Sequence, residues 1–362
     1  MDQLDEAIDR ASLFIASKMT ASGRFAGGCE ARPLETGLFL HVLQEIDARI
    51  PAVDALAAYC RRYIEASHPR RGNLDEVISA LLCRRVLGEE VTALGSARLD
   101  AALAHFDHPT QARKLLLFKV LFAELGATPP PSINIPRDAA HQPGNQLWVS
   151  VILTALRILL AHLQGRPDDI DPAEVEFIVA HQADDGGWEH HVLATLVALL
   201  ALHRAGADPS AIARGVFYVL RQVRADGGVP FIADEDVWVT CLSGLVLREA
   251  RPSTCDLNTV ARYVAALQRD DGGWGFAEGV QQTDADDTSV ALTLLTRHDR
   301  IGHRAAIRRA QWYLLALQND DGGFPTFVRG AASEAEITAK AILALRLSSE
   351  GCFAGRIDRA WR

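Results

Sequence analysis

Three aspartates and a threonine form a short string close to residue 285. Asp284, Asp286, Asp287 and Thr288 give the pattern D-x-D-D-T at the start of an apolar stretch that reads as a helix. Carboxyl groups this close together, at the mouth of an apolar site, cannot all ionise cheaply, so one of them is expected to keep its proton. A proton held on a poorly solvated carboxyl is strongly acidic toward a buried reactant. The string therefore predicts proton donation by one of the three carboxyl groups.

The same residues also suit the start of a helix. Side-chain oxygens of Asp, Thr and Ser cap free backbone amides, and negative charge is favourable at the N-terminal end of the helix dipole. A single Asp in this place is more often a cap than an acid. Three carboxylates within four positions favour the acid interpretation, and capping with solvated charge stays the alternative.

A repeat surrounds this string and indicates how it is positioned. Self-similarity at a spacing of roughly 40 to 50 residues is typical of stacked supersecondary units that cannot bury their apolar faces alone. The Gly-Gly pair of each turn permits the positive φ that reverses the chain, and the preceding Asp can bind local amides. The four segments are HQADDGGW ending at Trp188, RQVRADGGVPF ending at Phe231, LQRDDGGWGF ending at Phe276 and LQNDDGGF ending at Phe324.

Two kinds of helix alternate around these turns. The helices before a turn are amphipathic and are predicted to be outer helices, as in 258–268 and 305–318. The helices after a turn are apolar nearly all round and are predicted to form an inner layer, as in 192–202, 240–247 and 337–345. The pattern predicts an all-α protein, an α/α toroid or double-layered α-barrel of about six or seven helical hairpins.

The N-terminal half keeps this rhythm more weakly. We count about fourteen helices and predict one domain over residues 1–362, closed into a single ring. Residues 129–145 contain prolines that exclude a continuous helix, so they are predicted to be an extended crossing or a lid. The predicted N-terminal helices are 34–46, 74–87, 111–125 and 146–163, with turns at 22–25 and 70–73.

The turns and the aspartate string together resemble one family. The Gln-x-x-Asp-Gly-Gly-Trp turns look like the QW repeats of squalene-hopene and oxidosqualene cyclases, and the D-x-D-D string is similar to the acid motif of class II terpene cyclases. The resemblance implies an isomerase of isoprenoid biosynthesis that cyclises a linear isoprenoid, such as a prenyl diphosphate, through carbocation intermediates. It also implies that Asp286 protonates a terminal alkene, while Asp284 and Asp287 orient the proton.

Aromatic residues on the turns have two interpretations. Trp188 and Trp274 follow Gly-Gly directly and are predicted to pack in the structure. Phe276 resembles a position where cyclases turn a ring toward the cationic intermediate, which a π face can stabilise without quenching it. Four further aromatic residues on equivalent loops are candidates for lining the same cavity, with core packing as the alternative for each: Phe231, Trp238, Phe324 and Phe327.

Two other classes of protein remain open. Residues 235–245 look like the inner-helix segment of a protein prenyltransferase β subunit, but Val239 stands where that family has its histidine ligand, so no metal ligand is predicted. A non-catalytic toroid used as a binding scaffold is the other alternative. The string DDID at 168–171 does not match the metal motif of ionising terpene synthases. His190 and His191 are interpreted as polar residues at a helix start first, and as cavity-lining residues second.

Composition limits the partners. The formal net charge is −9 and the basic residues are scattered, which disfavours nucleic acid. Six cysteines without a CxxC pair indicate reduced thiols, and no stretch predicts a signal peptide or a transmembrane helix, so we expect a cytoplasmic protein.

Protonation requires no cofactor. Mg²⁺ becomes a candidate if the substrate carries a diphosphate, with Arg269, Arg329 and Lys340 as candidate contacts. The sequence does not indicate an oligomeric state.

Overall fold

The computed structural model describes residues 3–66, 74–89, 111–142, 145–251 and 253–349. This part of the chain contains fifteen α-helices, compared with the fourteen or so that the sequence predicts. The helices are α1 (Gln3–Ala16), α2 (Pro33–Glu45), α3 (Pro51–Ala66), α4 (Leu74–Val86), α5 (Gln111–Glu124), α6 (Arg137–Ala140), α7 (Leu147–Leu163), α8 (Pro172–Ala180), α9 (Val192–Arg204), α10 (Pro209–Leu220), α11 (Asp236–Ala250), α12 (Leu257–Ala266), α13 (Ala285–Asp299), α14 (Arg304–Leu317) and α15 (Ala335–Ser348). Two short strands, β1 (Ala31–Arg32) and β2 (Val229–Pro230), pair antiparallel. The turn predicted at 70–73, and Cys352, lie outside the described residues.

The contacts divide the chain into two compact units. Unit 1 comprises residues 1–28, 143–146 and 234–362, and unit 2 comprises residues 29–142 and 147–233. Each unit buries a hydrophobic cluster of its own. The repeat continues through both units, so its period does not mark where one hydrophobic cluster ends and the other begins.

Unit 1 has two layers of helices. α13 packs between α11 and α15, while α12 and α14 pack behind these three helices. The inner helices therefore correspond to the apolar segments that follow the turns, and the outer helices correspond to the amphipathic segments that precede them. The N-terminal helix α1 packs against α11.

Unit 2 repeats this arrangement with a longer inner row. α5, α7, α9, α2 and α4 are successive neighbours, and α3, α8 and α10 pack outside them. The described part of the proline-rich stretch, residues 129–142, includes the short helix α6, which packs against α7. Gln164, directly after α7, donates through Nε2 to the carbonyls of Pro131 and Ile133 at 2.8 and 3.2 Å, and these hydrogen bonds hold the extended residues before α6 beside the end of α7.

The Gln-x-x-Asp-Gly-Gly turns share one geometry. In the turn before α13, Gln268 Nε2 donates to Gly272 O at 2.8 Å and to Ala306 O of the next outer helix at 2.9 Å. Gly272 has φ +94°, and a Cβ there would lie 2.7 Å from Arg309 O, so only glycine fits. Asp271 Oδ1 accepts from Gly273 N at 2.9 Å. Gln182 makes the same two contacts, to Gly186 O and Ala211 O at 2.9 Å each, so in both turns the glutamine ties the turn to the following outer helix.

Each turn is also clamped to an inner helix by a threonine. In each of five turns a backbone N–H, which in four of them directly follows the Gly-Gly pair, donates to a threonine hydroxyl near the start of an inner helix, at 2.8 to 3.2 Å. This clamp fixes where the helix starts relative to the turn, and it gives a common reference position for comparing the repeats. The pairs are Phe25 with Thr240, Trp188 with Thr195, Val229 with Thr36, Trp274 with Thr288, and Phe324 with Thr338.

None of the described helices is both long enough and apolar enough to cross the hydrocarbon layer of a membrane.

Candidate active site

The aspartate string lies at the start of α13 in unit 1. Asp284 is the N-cap, and its Oδ1 accepts from the backbone N–H of Asp287 at 2.7 Å. The Asp284 N–H donates to Trp274 O at 2.9 Å, and the Ala285 N–H donates to Thr326 O at 2.7 Å. The turn before α13 and the turn before α15 therefore both hold this helix start in place.

Equivalent positions in the other helices of unit 1 show which of the aspartates is explained by helix capping. Counting back four residues from the clamping threonine gives Asp284 in α13 and Glu334 at the start of α15, and both are N-caps. Capping therefore accounts for Asp284. It does not account for Asp287, because the equivalent residues of unit 1 are Val239 and Ile337, which are apolar.

Asp284 and Asp287 form a buried carboxyl pair, exposed by only 3% and 6%. Burial, with a smaller contribution from the charge of Asp286, raises the pKa of Asp284 to about 6, against the lowering effect of the hydrogen bonds with Asp287. Burial raises the pKa of Asp287 well above its ordinary value, and the charge of Asp284 and a hydrogen bond with its carboxyl add to the increase. Burial and the repulsion between the two carboxylates therefore both favour retention of a proton on the pair.

Asp286 differs from its two neighbours because its side chain is 26% exposed. Lys340 on α15 lies 2.9 Å from Asp286 Oδ1 and 2.8 Å from Glu336 Oε1. Its ammonium also lies over the ring of Trp238, 4.7 Å from the centroid. Burial lowers the pKa of Lys340, but the hydrogen bonds to Glu336 and Asp286 outweigh burial and raise it. Asp286 is thus the accessible carboxyl of the three, and it faces a cation.

An apolar groove begins beside this ion pair. Its volume is about 620 Å³, and it runs between α11, α13 and α15, lined by Lys340, Leu242, Leu245, Val290 and Leu343, among others. The Ser289 and Thr293 hydroxyls on its wall donate to backbone carbonyls at 2.6 and 2.8 Å, so they are already engaged. The sequence predicts such a groove with all three aspartates on its wall, whereas the structure brings only Lys340, the partner of Asp286, onto the lining.

A buried carboxylate holds the loop that contains Phe276. Asp236 is 1% exposed; its Oδ1 accepts from Glu278 N at 2.9 Å, and its Oδ2 accepts from the Tyr263 hydroxyl at 2.6 Å. Phe276 O accepts from the Val237 N–H at 3.1 Å, and the Phe276 side chain is half-buried. Asp236 therefore fixes the loop, although nothing in the sequence analysis pointed to it.

The other predicted aromatic residues fall into different environments. Phe324 is 1% exposed and belongs to the core of unit 1, and Trp188 and Trp274 are fully buried as predicted. Trp238 is half-buried under Lys340, and Phe327 is half-buried on the loop before α15. Phe231 lies in unit 2, where its ring packs edge-on against His191.

The candidate cations and the DDID string do not come together at one site. Arg269 is exposed, and Arg329 pairs with Asp320 at 2.8 Å, so only Lys340 of the three candidate cations contacts the aspartates. Asp171 of the DDID string caps α8. Within the described ranges, no group of three or more His, Cys, Asp or Glu side chains could hold a metal ion.

Comparison with solved structures places this architecture among the terpene cyclases. Ent-copalyl diphosphate synthase from Arabidopsis thaliana superimposes with a TM-score of 0.58 at 15% identity, over 99% of this chain and 51% of that one. This likeness confirms the predicted fold class, the all-α α/α toroid of terpene cyclases.

Comparison with curated proteins gives more similar relatives. Drimenyl diphosphate synthase from Streptomyces showdoensis is 35% identical over 353 residues, which is 94% of this chain and 65% of that protein. Drimenyl diphosphate synthase from Streptantibioticus cattleyicolor is 35% identical over 351 residues, 93% of this chain and 64% of that protein. The chain thus spans just under two thirds of the length of these relatives. No family model matches it.

Proposed function

We propose that this chain carries the acid site of a class II terpene cyclase, which protonates the terminal alkene of a linear prenyl diphosphate and cyclises it. The observation that supports this most strongly is the buried carboxyl pair Asp284–Asp287 beside the accessible carboxyl of Asp286, with Asp287 at a helix position that is apolar in the equivalent helices of unit 1. The similarity to two drimenyl diphosphate synthases supports a diphosphate substrate.

In this proposal Asp286 is the proton donor. The buried pair is too enclosed to reach a substrate, whereas Asp286 is adjacent in sequence and partly open. The O–H bond of Asp286 breaks as the π electrons of the alkene form the new C–H bond, which leaves a tertiary cation on the neighbouring carbon. Asp284 and Asp287 keep a proton within the cluster and stabilise the conjugate base.

The surroundings of Asp286 suit a cationic intermediate. The groove lies within the range of roughly 300–1,000 Å³ that is common for ligand sites, and its wall combines aliphatic side chains with Arg297, Lys340 and Arg346. Aliphatic side chains do not react with a carbocation, whereas water does. The rings of Phe276 and Trp238 offer π faces that can stabilise positive charge. We propose that both rings, with Phe327, contact the substrate.

The proposed reaction leaves the bond between carbon and diphosphate intact, which provides a direct test. Incubation with farnesyl diphosphate, geranylgeranyl diphosphate or squalene, with and without Mg²⁺, is expected to convert a prenyl diphosphate to a cyclic product that still carries its diphosphate. Mass spectrometry and phosphorus NMR of the unhydrolysed product provide the measurement. Release of inorganic diphosphate, or cyclisation of squalene alone, would contradict the proposal.

Replacing Lys340 is expected to change the pH dependence of cyclisation. The pKa values of Asp284 and Asp287 are raised, so the rate is expected to fall as pH rises and the buried pair loses its proton. The Lys340 ammonium stabilises carboxylate at the site and favours this loss, so Lys340→Met should move the falling limb of the rate–pH profile to higher pH, by a modest amount because the ion pair is partly solvated. Lys340→Arg keeps the charge and should leave the limb in place. A uniform loss of rate in the Met variant, with no shift, would show that Lys340 only positions Asp286.

A further inference from the structure

The outer helix α14 of unit 1 carries positive charge without the acidic residues that accompany it elsewhere. Residues 300–319 contain four arginines and no aspartate or glutamate, in a chain with 46 acidic residues and a formal net charge of −9. Arg304 and Arg308 are exposed, and neither forms an ion pair within the described part of the chain. This helix therefore presents positive charge to solvent on an otherwise acidic chain.

Helix stability does not account for the arginines at the start of α14. Positive charge near the N-terminal end of a helix is unfavourable, because that end of the helix dipole is itself positive. α14 begins after His303, whose side chain makes no capping hydrogen bond, and Arg304 is its first residue. The outer helices α8, α10 and α12 instead begin after an aspartate that accepts a backbone N–H: Asp171, Asp208 and Asp256. The sequence of α14 thus departs from the other outer helices in the direction that weakens the helix.

Two large apolar side chains lie beside these arginines and face solvent. Ile301, in the loop before α14, is 87% exposed, more than any other large apolar side chain among the described residues. Its N–H donates to Asp299 Oδ1 at 3.1 Å, which fixes the loop. Trp312 is 59% exposed. At 3.6 residues per turn, Arg304, Arg308 and Trp312 lie within about 80° of one another around the helix axis. Positive charge and exposed apolar surface therefore share one face.

We propose that this face of α14 docks on the surface of a membrane that contains anionic lipids. Arg304 and Arg308 bind lipid phosphate groups, the Trp312 ring lies at the level of the head groups, and Ile301 reaches the start of the acyl chains. A lipid surface fits better than a nucleic acid, because acyl chains remove an exposed aliphatic side chain from water and a phosphate backbone does not. Docking does not depend on the proposed reaction.

The binding that these few residues provide is weak and reversible. Each arginine near an anionic surface increases partitioning about fivefold. The attraction falls off over a Debye length of about 8 Å at physiological ionic strength and about 3 Å at 1 M. Membrane binding by this face should therefore depend on both the anionic lipid content and the salt concentration.

Sedimentation with lipid vesicles tests this proposal on the full chain. Vesicles of phosphatidylcholine alone are compared with vesicles that contain about 30% phosphatidylglycerol, at about 0.1 M and about 1 M salt. The chain is expected to bind only the anionic vesicles, and only at the lower salt concentration. The double variant Arg304→Gln/Arg308→Gln should weaken this binding roughly thirtyfold, and Trp312→Gln should weaken it as well.

Control variants match these changes in charge and in exposure. Arg61→Gln/Arg214→Gln removes two exposed arginines from the outer helices α3 and α10, and Phe217→Gln removes an aromatic side chain of α10 that is 61% exposed. Both controls should bind the anionic vesicles as the unmodified chain does.

Turnover and stability keep docking separate from the acid site. The double variant at Arg304 and Arg308 should keep its melting temperature, and in solution it should turn over any accepted prenyl diphosphate as the unmodified chain does. Equal binding to neutral vesicles, absence of binding to anionic vesicles, or unchanged binding of the double variant would overturn the proposal. Binding to a DNA duplex without binding to the vesicles would overturn it too. Salt-sensitive vesicle binding that requires the two arginines, in a chain that cyclises no prenyl diphosphate, would support docking and reject the cyclase function.

Discussion

Asp286→Asn is expected to abolish cyclisation while leaving the fold intact. The amide is nearly the same size as the carboxyl group but cannot deliver a proton to an alkene. Loss of a general acid lowers rates by up to roughly 10⁴-fold, and here no other exposed carboxyl replaces it at the start of α13 among the described residues. Turnover of the accepted prenyl diphosphate, with the melting temperature of the same sample, provides the measurement.

Glu336→Gln is the matched control for this substitution. It changes the other carboxylate that pairs with the Lys340 ammonium, but Glu336 has a side chain that is 77% exposed. The control should therefore keep full turnover, because an exposed ion pair contributes little. If Asp286→Asn retained full activity, the aspartate string would be reassigned to capping and solvated charge, and the cyclase proposal would lose its acid.

Phe276→Leu is expected to slow cyclisation roughly thirtyfold or to increase prematurely quenched products. Leucine keeps apolar bulk but has no π face, so it separates packing from stabilisation of a cation. A cation–π contact in a desolvated site contributes about 2 kcal/mol, which corresponds to that factor in rate. Stability should change little, because the Phe276 side chain is only half-buried and lies on a loop held by Asp236. Product distribution and turnover are measured beside the melting temperature.

Phe324→Leu is the matched control, in which we expect a loss of stability without a change of products. Phe324 is 1% exposed within the core of unit 1, so its replacement should lower the free energy of unfolding by about 1 kcal/mol while leaving the product distribution unchanged. Unchanged products together with a large loss of stability in Phe276→Leu would instead show that Phe276 is a core residue, and the proposed contact with the cation would be wrong.

The repeat in the sequence predicted the helices well, for a physical reason. Glutamine, aspartate and the two glycines each make a fixed contact in the turn, so their spacing records where one helix ends and the next begins. The predicted inner helix 192–202 is observed as Val192–Arg204, and 337–345 as Ala335–Ser348. The same repeat aligns Phe324 with Trp274, and both side chains are buried in the core of unit 1, which is the alternative that the sequence left open for Phe324.

The site was predicted less completely, because its contacts join distant parts of the chain. Lys340 and Asp286 are 54 positions apart, and no local pattern pairs them. His191 was recognised as a residue at a helix start, which is its role at Nδ1, but the surroundings of Nε2 come from Trp148 and Phe231 on other elements. The boundaries of the two compact units could not be predicted for a similar reason, because hydrophobic periodicity indicates that a helix face is buried and not which hydrophobic cluster it joins.

The composition of unit 1 has a consequence for how the chain folds during synthesis. Phe25, 1% exposed in this unit's core, and Arg24, whose Nε donates to Asp236 at 2.7 Å, are separated from the rest of their unit by residues 29–233. At roughly 5–20 residues per second, a ribosome needs about 10–40 s to make that intervening stretch. During this time α1 and Phe25 have no partners, while unit 2 can already collapse around its own core. The N-terminal segment is therefore the part of this chain most in need of protection from premature association while it is being made.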